Sequence, residues 1–189
     1  MNLKSTLFEI AFSFLLYAIF AWIIACIPQL KSGPLTYYLF IPAGVKLFAI
    51  LIFGWRGAVG TGLATFMRLV LADPTQPWLS WLLVPVATSL TLWIVVEYGL
   101  KLFGVNKNLS NLEYYQIVVL AAVGSIVNGF TFSYAVASLT SYQINGGFIY
   151  DGLLTTLGNF AGNALFVCSL ILIMRQREAI LGLLFKSKD

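Results

Sequence analysis

The chain has no histidine, two cysteines, and charge at only 10% of its 189 positions. Each shortage excludes something. Without histidine the commonest metal ligand is gone, so metal catalysis is not expected. Cys26 and Cys168 both lie in apolar runs; they make no disulfide framework and read as buried structural thiols. A soluble domain carries about 25% charged residues, so this composition points to an integral membrane protein with no soluble catalytic domain. Paired carboxylates, a nucleophile beside a base, and a phosphate loop are all missing. The run GWRGAVGTG has glycines but no Walker lysine after them. The sequence does not read as an enzyme, and no cofactor is expected.

What is present is apolar length. Hydrophobic residues make up 60% of the chain and the mean hydropathy is +0.90. A bilayer needs about 20 residues per helix, and six segments qualify, near 7–27, 38–53, 57–72, 81–103, 117–139 and 148–174. The expected fold is therefore one all-α transmembrane domain over 1–189 with six transmembrane helices. The first apolar run exceeds the h-region of a signal peptide and no clean cleavage site follows, so it reads as a retained span. With the N-terminus inside, Lys4, Arg56, Lys101, Lys107, Arg175, Arg177, Lys186 and Lys188 fall on the cytoplasmic side and only Lys31 outside. The positive-inside rule then places both termini in the cytoplasm of a bacterial inner membrane. The tail ILGLLFKSKD reads as an amphipathic basic segment on the anionic inner leaflet. The net charge of +4 does not point to nucleic acid, because topology explains where its cations lie.

The remaining two cations are unusual. Lys46 and Arg68 sit inside spans, where a charge costs at least ~2.5–3.5 kcal/mol. Lys46 lies five residues after Ile41, and Arg68 five residues before Asp73. At 1.5 Å per residue both fall roughly 8–10 Å below the outer surface. Asp151, near the start of the sixth span, shares that depth. Three readings stay open: Asp151 pairs one cation while the other snorkels outward; the group binds a small anionic or zwitterionic solute; or it takes a lipid headgroup. Glu9 and Glu97 are placed to pair with Lys4 and Lys101. The outer loops carry Pro28, Pro34, Tyr37, Tyr38, Pro42, Asp73, Pro74, Pro77, Trp78, Trp81, Tyr142, Asn145, Gly146 and Gly147. They read as an interfacial aromatic belt with turns, or as short loops closing over an outward pocket.

Polar amides and glycines repeat at helical spacing. Asn159 and Asn163 are candidate ligand-binding residues beside Lys46, Arg68 and Asp151. Gly158 and Gly162 beside them form a small-xxx-small packing motif. Gly57, Gly60 and Gly62 open the third span, and Gly44 opens the second; all suit close helix packing. Asn128 and Ser125 add interhelical hydrogen-bonding capacity on the fifth span.

Certain of these residues carry a resemblance. The run FIPAGVKLFAILIFGWRGAVGTGLA resembles the signature of the first type of membrane-associated sensor (MASE) domain, through Pro42, Ala43 and Gly44, then Phe53, Gly54 and Arg56, then Gly57 and Gly60. DGLLTTLGNFAGNALFVCSLILI resembles a later span of that family, though the proline expected in 166–169 is absent. The resemblance implies a sensor acting through a partner signalling protein. Because the chain ends about fifteen residues after its last span, a stand-alone relative or one subunit of a complex is expected. LIFGWRGAVG is also similar to a pattern in the substrate-binding S-components of energy-coupling-factor transporters. These have six spans, bind vitamins or other small solutes near the outer face, and meet a membrane partner and ATPase module through small residues four apart. Ala21 and Ala25 have that spacing. A structural membrane scaffold is the third function class.

Overall fold

The computed structural model describes residues 3–33, 35–106, 108–141 and 147–175. Expectations on Pro34, Lys107, Tyr142, Asn145, Gly146, Arg177, Lys186, Lys188 and the 180–189 tail lie outside the described residues. Within them the chain is helical: α1 (Leu3–Ala25), α2 (Pro42–Phe53), α3 (Trp55–Ala72), α4 (Trp78–Leu102), α5 (Tyr114–Leu139) and α6 (Gly147–Arg175), with a short 3-10 turn at Pro28–Leu30. Four of these, α1, α4, α5 and α6, are long and apolar enough to cross a membrane. The shorter α2 has 12 residues, about 18 Å at 1.5 Å per residue, against a hydrocarbon core of about 30 Å.

The contacts define how the helices run. Gly60 of α3 abuts Ile10 and Ser13 of α1, while Gly62 faces Ser89 of α4. Gly99 of α4 meets Leu120 of α5, and Gly129 of α5 meets Thr156 of α6. Thus α1 runs parallel to α3, and α3, α4, α5 and α6 follow one another antiparallel. One end of the bundle carries the connections 26–41 and 73–77, and is called here the loop end. The other carries Gly54 and the 103–113 connection. Exposed aromatics collect towards both ends: Trp22, Tyr38, Trp78 and Tyr150 at the loop end, and Trp55, Tyr98, Tyr114 and Tyr115 at the other. That is the belt pattern of a bilayer-spanning bundle. Cys26 and Cys168 are exposed rather than buried. Their apolar flanks suit a lipid-facing position as well as a core, so hydropathy did not separate the two.

The second expected span is part helix and part extended chain. Residues 31–37 form a tight antiparallel turn: Lys31 bridges Tyr37, the Ser32 amide donates to the Thr36 carbonyl, and the Tyr38 amide to the Leu30 carbonyl. Leu35, Thr36 and Tyr37 are buried. The chain then descends non-helically along α6 before α2 begins. Irregular backbone at such depth survives only when protein satisfies it, and here the Phe40 amide donates to the Gly158 carbonyl at 3.0 Å. Gly158 and Gly162 make room for it. A Cβ on Gly158 would strike the Tyr37 carbonyl, and one on Gly162 the Phe40 carbonyl. The pair therefore seats an extended segment rather than a helix. Gly44 packs on Phe166, and Gly57 on the Ala49 backbone. Gly54, at φ +58 and ψ −132, reverses the chain between α2 and α3 in a conformation open to glycine and costly for other residues.

Helix ends are fixed by local polar contacts. Glu113 caps α5 in a capping box with Gln116. At the loop end the Asp73 carboxylate accepts from the Thr75 amide at 3.0 Å and from its hydroxyl at 2.5 Å. These bonds, the hydroxyl first, hold the Asp73 carboxyl below the ordinary aspartate value of 3.8. The Asp73 carbonyl accepts from the Trp81 indole, the largest fully buried side chain.

Replacing Gly158 with alanine pushes a methyl into the Tyr37 carbonyl. The expected cost is about 1–3 kcal/mol, the usual range for overpacking. It should appear as a lower unfolding temperature of the purified protein. Equal unfolding temperatures for wild type and Gly158→Ala would disprove the close approach.

Candidate functional site

Helix α2 sits at the centre of the bundle, and eight of its residues, 42–47, 49 and 50, are buried. One of them is Lys46, only 4% exposed. Its ammonium donates to Thr88 Oγ1 of α4 at 3.2 Å and to Asn128 Oδ1 of α5 at 3.4 Å. The Thr88 hydroxyl itself donates to the Pro85 carbonyl at 3.3 Å, so its oxygen is free to accept. Pro85 lacks an amide and leaves α4 one backbone bond short beside this site.

These partners also fix the depth of Lys46. Thr88 lies ten residues into α4 and Asn128 eleven from the end of α5, or about 15–17 Å from the loop end. The sequence placed Lys46 at roughly half that. The difference is the extended lead-in, which carries the start of α2 well inside the bundle. At this depth Lys46 is beyond the reach of outward snorkelling.

Arg68 is partly buried near the loop end of α3. Its guanidinium carbon lies 5.0 Å from the Phe40 ring centre and 5.9 Å from that of Tyr37, which is cation–π range. Its Nε is buried with no hydrogen-bond partner among the described residues. Lys46 and Arg68 line one cavity of about 30 Å³ with Tyr17, Thr36, Thr155 and Asn159, under the 31–37 turn. Every helix of the bundle contributes to its wall.

Asn159 is 2% exposed and its Nδ2 has no partner among the described residues. Asn163, one turn further along α6, donates to Ser125 Oγ at 2.9 Å. It lines a smaller void of about 10 Å³ shared with Lys46, Asn128 and Asn159. A polar seam thus runs from Arg68 through Lys46 and Asn159 to Asn163. Asp151 stands apart. It accepts a hydrogen bond from Ser133 at 3.0 Å, eight residues above Asn159 on α6, and does not line the cavity. Glu9 pairs with Arg56 at 2.6 Å, tying α1 to α3, and Glu97 makes no ion pair with Lys101. Among the described residues Arg56–Glu9 is the one ion pair, so neither Lys46 nor Arg68 has a carboxylate within 4 Å.

Sequence reasoning had Thr88 only as an anonymous member of an apolar run. No pattern singles out which threonine of a span faces the axis. Tyr37 was seen as an interfacial residue, yet it is 7% exposed and lies against Arg68. Comparison with protein-family models, with curated proteins and with solved structures finds no match.

A cation at this depth without a carboxylate works against stability. Exchanging a buried ion pair for apolar side chains of similar volume commonly gains roughly 1–4 kcal/mol, and a cation with no counter-charge has less to lose. Lys46→Met should accordingly raise the unfolding temperature of the purified protein in anion-poor buffer. A clear fall would mean that Lys46 is structurally compensated after all.

Proposed function

We propose that this chain is a six-span inner-membrane protein, both termini cytoplasmic, that binds a small negatively charged solute from the outer side at the Lys46–Arg68 cavity. The observation that carries the reading is the meeting of two cations on one cavity whose lining holds no carboxylate. Isolated intramembrane charge is expensive and marks functional sites. The 31–37 turn lies between the cavity and the loop end, which the positive-inside pattern assigns to the outside: Lys4, Arg56 and Lys101 lie towards the opposite end. In this reading α2 with its extended lead-in makes one span and α3 another, joined at Gly54, which brings the count to six.

The described connections 26–41, 73–77 and 103–113 are short. The protein is read as a sensor of the MASE-like kind, working through a signalling partner, on the resemblance carried by Pro42–Gly44 and Gly54–Arg56. The uptake-component reading is weaker on two counts. Ala21 is 8% exposed and packs inside the chain's own core with Tyr17, Val45, Ala64 and Phe166, so Ala21 and Ala25 do not form an outward stripe for a membrane partner. A cavity of about 30 Å³ is also far below the roughly 300–1,000 Å³ typical of drug-sized or vitamin-sized ligands.

Two measurements test this. In a background with Cys26 and Cys168 replaced, Thr75→Cys should react with an impermeant thiol reagent from outside intact cells, and Asn108→Cys should not; the reverse labelling would invert the topology. In purified protein, small anions should raise the unfolding temperature of wild type but not of Lys46→Met. Equal responses would remove Lys46 from the site.

A further inference from the structure

Resting on the reading of this cavity as a ligand site, we infer that its ligand is a small monoanion, a carboxylate-like group without an ammonium, and that the site rejects zwitterions. The balance of donors and acceptors around the cavity points this way. Lys46 offers three N–H donors, of which two reach Thr88 and Asn128. Arg68 Nε, Asn159 Nδ2 and the Thr155 hydroxyl have no partner among the described residues, and all three residues line the cavity. Buried polar groups left unpaired cost free energy, and what satisfies a set of donors is a group that only accepts. An ionised carboxylate is such a group.

Acceptors for an ammonium are scarce by comparison. Asn128 Oδ1 and Thr88 already take Lys46, and what else can accept from the lining side chains is neutral hydroxyl oxygen, as at Thr65 and Thr155. No Asp or Glu lines the cavity; Asp151 is engaged with Ser133. The ammonium of an amino acid would also meet Arg68, whose guanidinium stays charged in proteins. Size sets the remaining limit. A cavity needs about 10–15 Å³ of such space per water, whose share of liquid volume is about 30 Å³, so about 30 Å³ of it takes an ion of about two to three waters' bulk, the size of acetate. Tetrahedral sulfate, with five heavy atoms, is bulkier than this space, so a planar carboxylate fits it better.

The test uses protein in phosphatidylcholine nanodiscs, in gluconate buffer, titrated with acetate, glycine, methylammonium and sulfate and followed by calorimetry and unfolding temperature. Acetate should bind, glycine and sulfate at least tenfold more weakly, and methylammonium without effect. Asn159→Asp supplies an internal carboxylate where the ligand's would sit; it should fold, unfold at a higher temperature than wild type, and lose its acetate response. Glycine or sulfate binding as tightly as acetate, with loss in Lys46→Met, would overturn the monoanion inference and leave the anion site standing. Asn159→Asp binding acetate with wild-type affinity would also overturn it. No response to any of the probes that depends on Lys46 or Arg68 would remove both this inference and the function it rests on.

Discussion

A lysine ammonium near the middle of an apolar bundle has to be held by polar atoms, and the centre of this structure is arranged around that requirement. Lys46 brings α4 and α5 to α2 through Thr88 and Asn128. The polar line continues along α6 through Asn159 and Asn163 to Ser125. Apolar clusters close it on three sides: Leu69, Trp81, Val84 and Phe132 towards the loop end, Leu47, Ile50, Leu92 and Val96 towards the other, and Tyr17, Val45 and Phe166 against α1. These clusters flank the seam with apolar surface. They also raise the cost of its unanswered charge, because electrostatic interactions strengthen as the local dielectric falls. Hydrogen bonds to a threonine and an amide satisfy the ammonium's donors but do not cancel its charge.

The same centre depends on how α2 is introduced. A helix of 12 residues cannot cross the bilayer, so the chain reaches its start as extended backbone. That is tolerable because α6 presents glycine where the segment passes and a carbonyl for the Phe40 amide. The descent places Phe40 and Tyr37 against the Arg68 guanidinium and the 31–37 turn over the cavity. A continuous helix through 38–53 would have put Lys46 nearer the surface, where its stem could carry the charge to water.

Much of the helical frame was legible because long apolar runs leave few alternatives. Expected segments near 81–103, 117–139 and 148–174 lie within a few residues of α4, α5 and α6. The extended lead-in was not legible. The run LTYYLFI is as apolar as a span, and hydropathy reports transfer of side chains, not the path of the backbone. Glycine spacing announced close approach correctly at Gly57 and Gly60, yet could not say that Gly158 and Gly162 face an extended strand of chain. Lys46 and Arg68 stood out as charges in apolar runs. Asp151 was grouped with them by depth; Lys46 lies deeper than its place in the run suggested, while Asp151 sits eight residues, about 12 Å along the helix, nearer the loop end than Asn159 and answers Ser133. Glu9 and Arg56 are 47 residues apart, and their pairing follows from the parallel packing of α1 on α3, which no local pattern encodes.

The anion proposed between Lys46 and Arg68 can be looked for directly by anomalous diffraction from crystals grown in bromide. The expected result is a bromide peak in the cavity, in contact with the Lys46 ammonium and bordered by Arg68 and Asn159. An empty cavity under those conditions, with a carboxylate on Lys46 and the Arg68 guanidinium turned out to the headgroups, would contradict it.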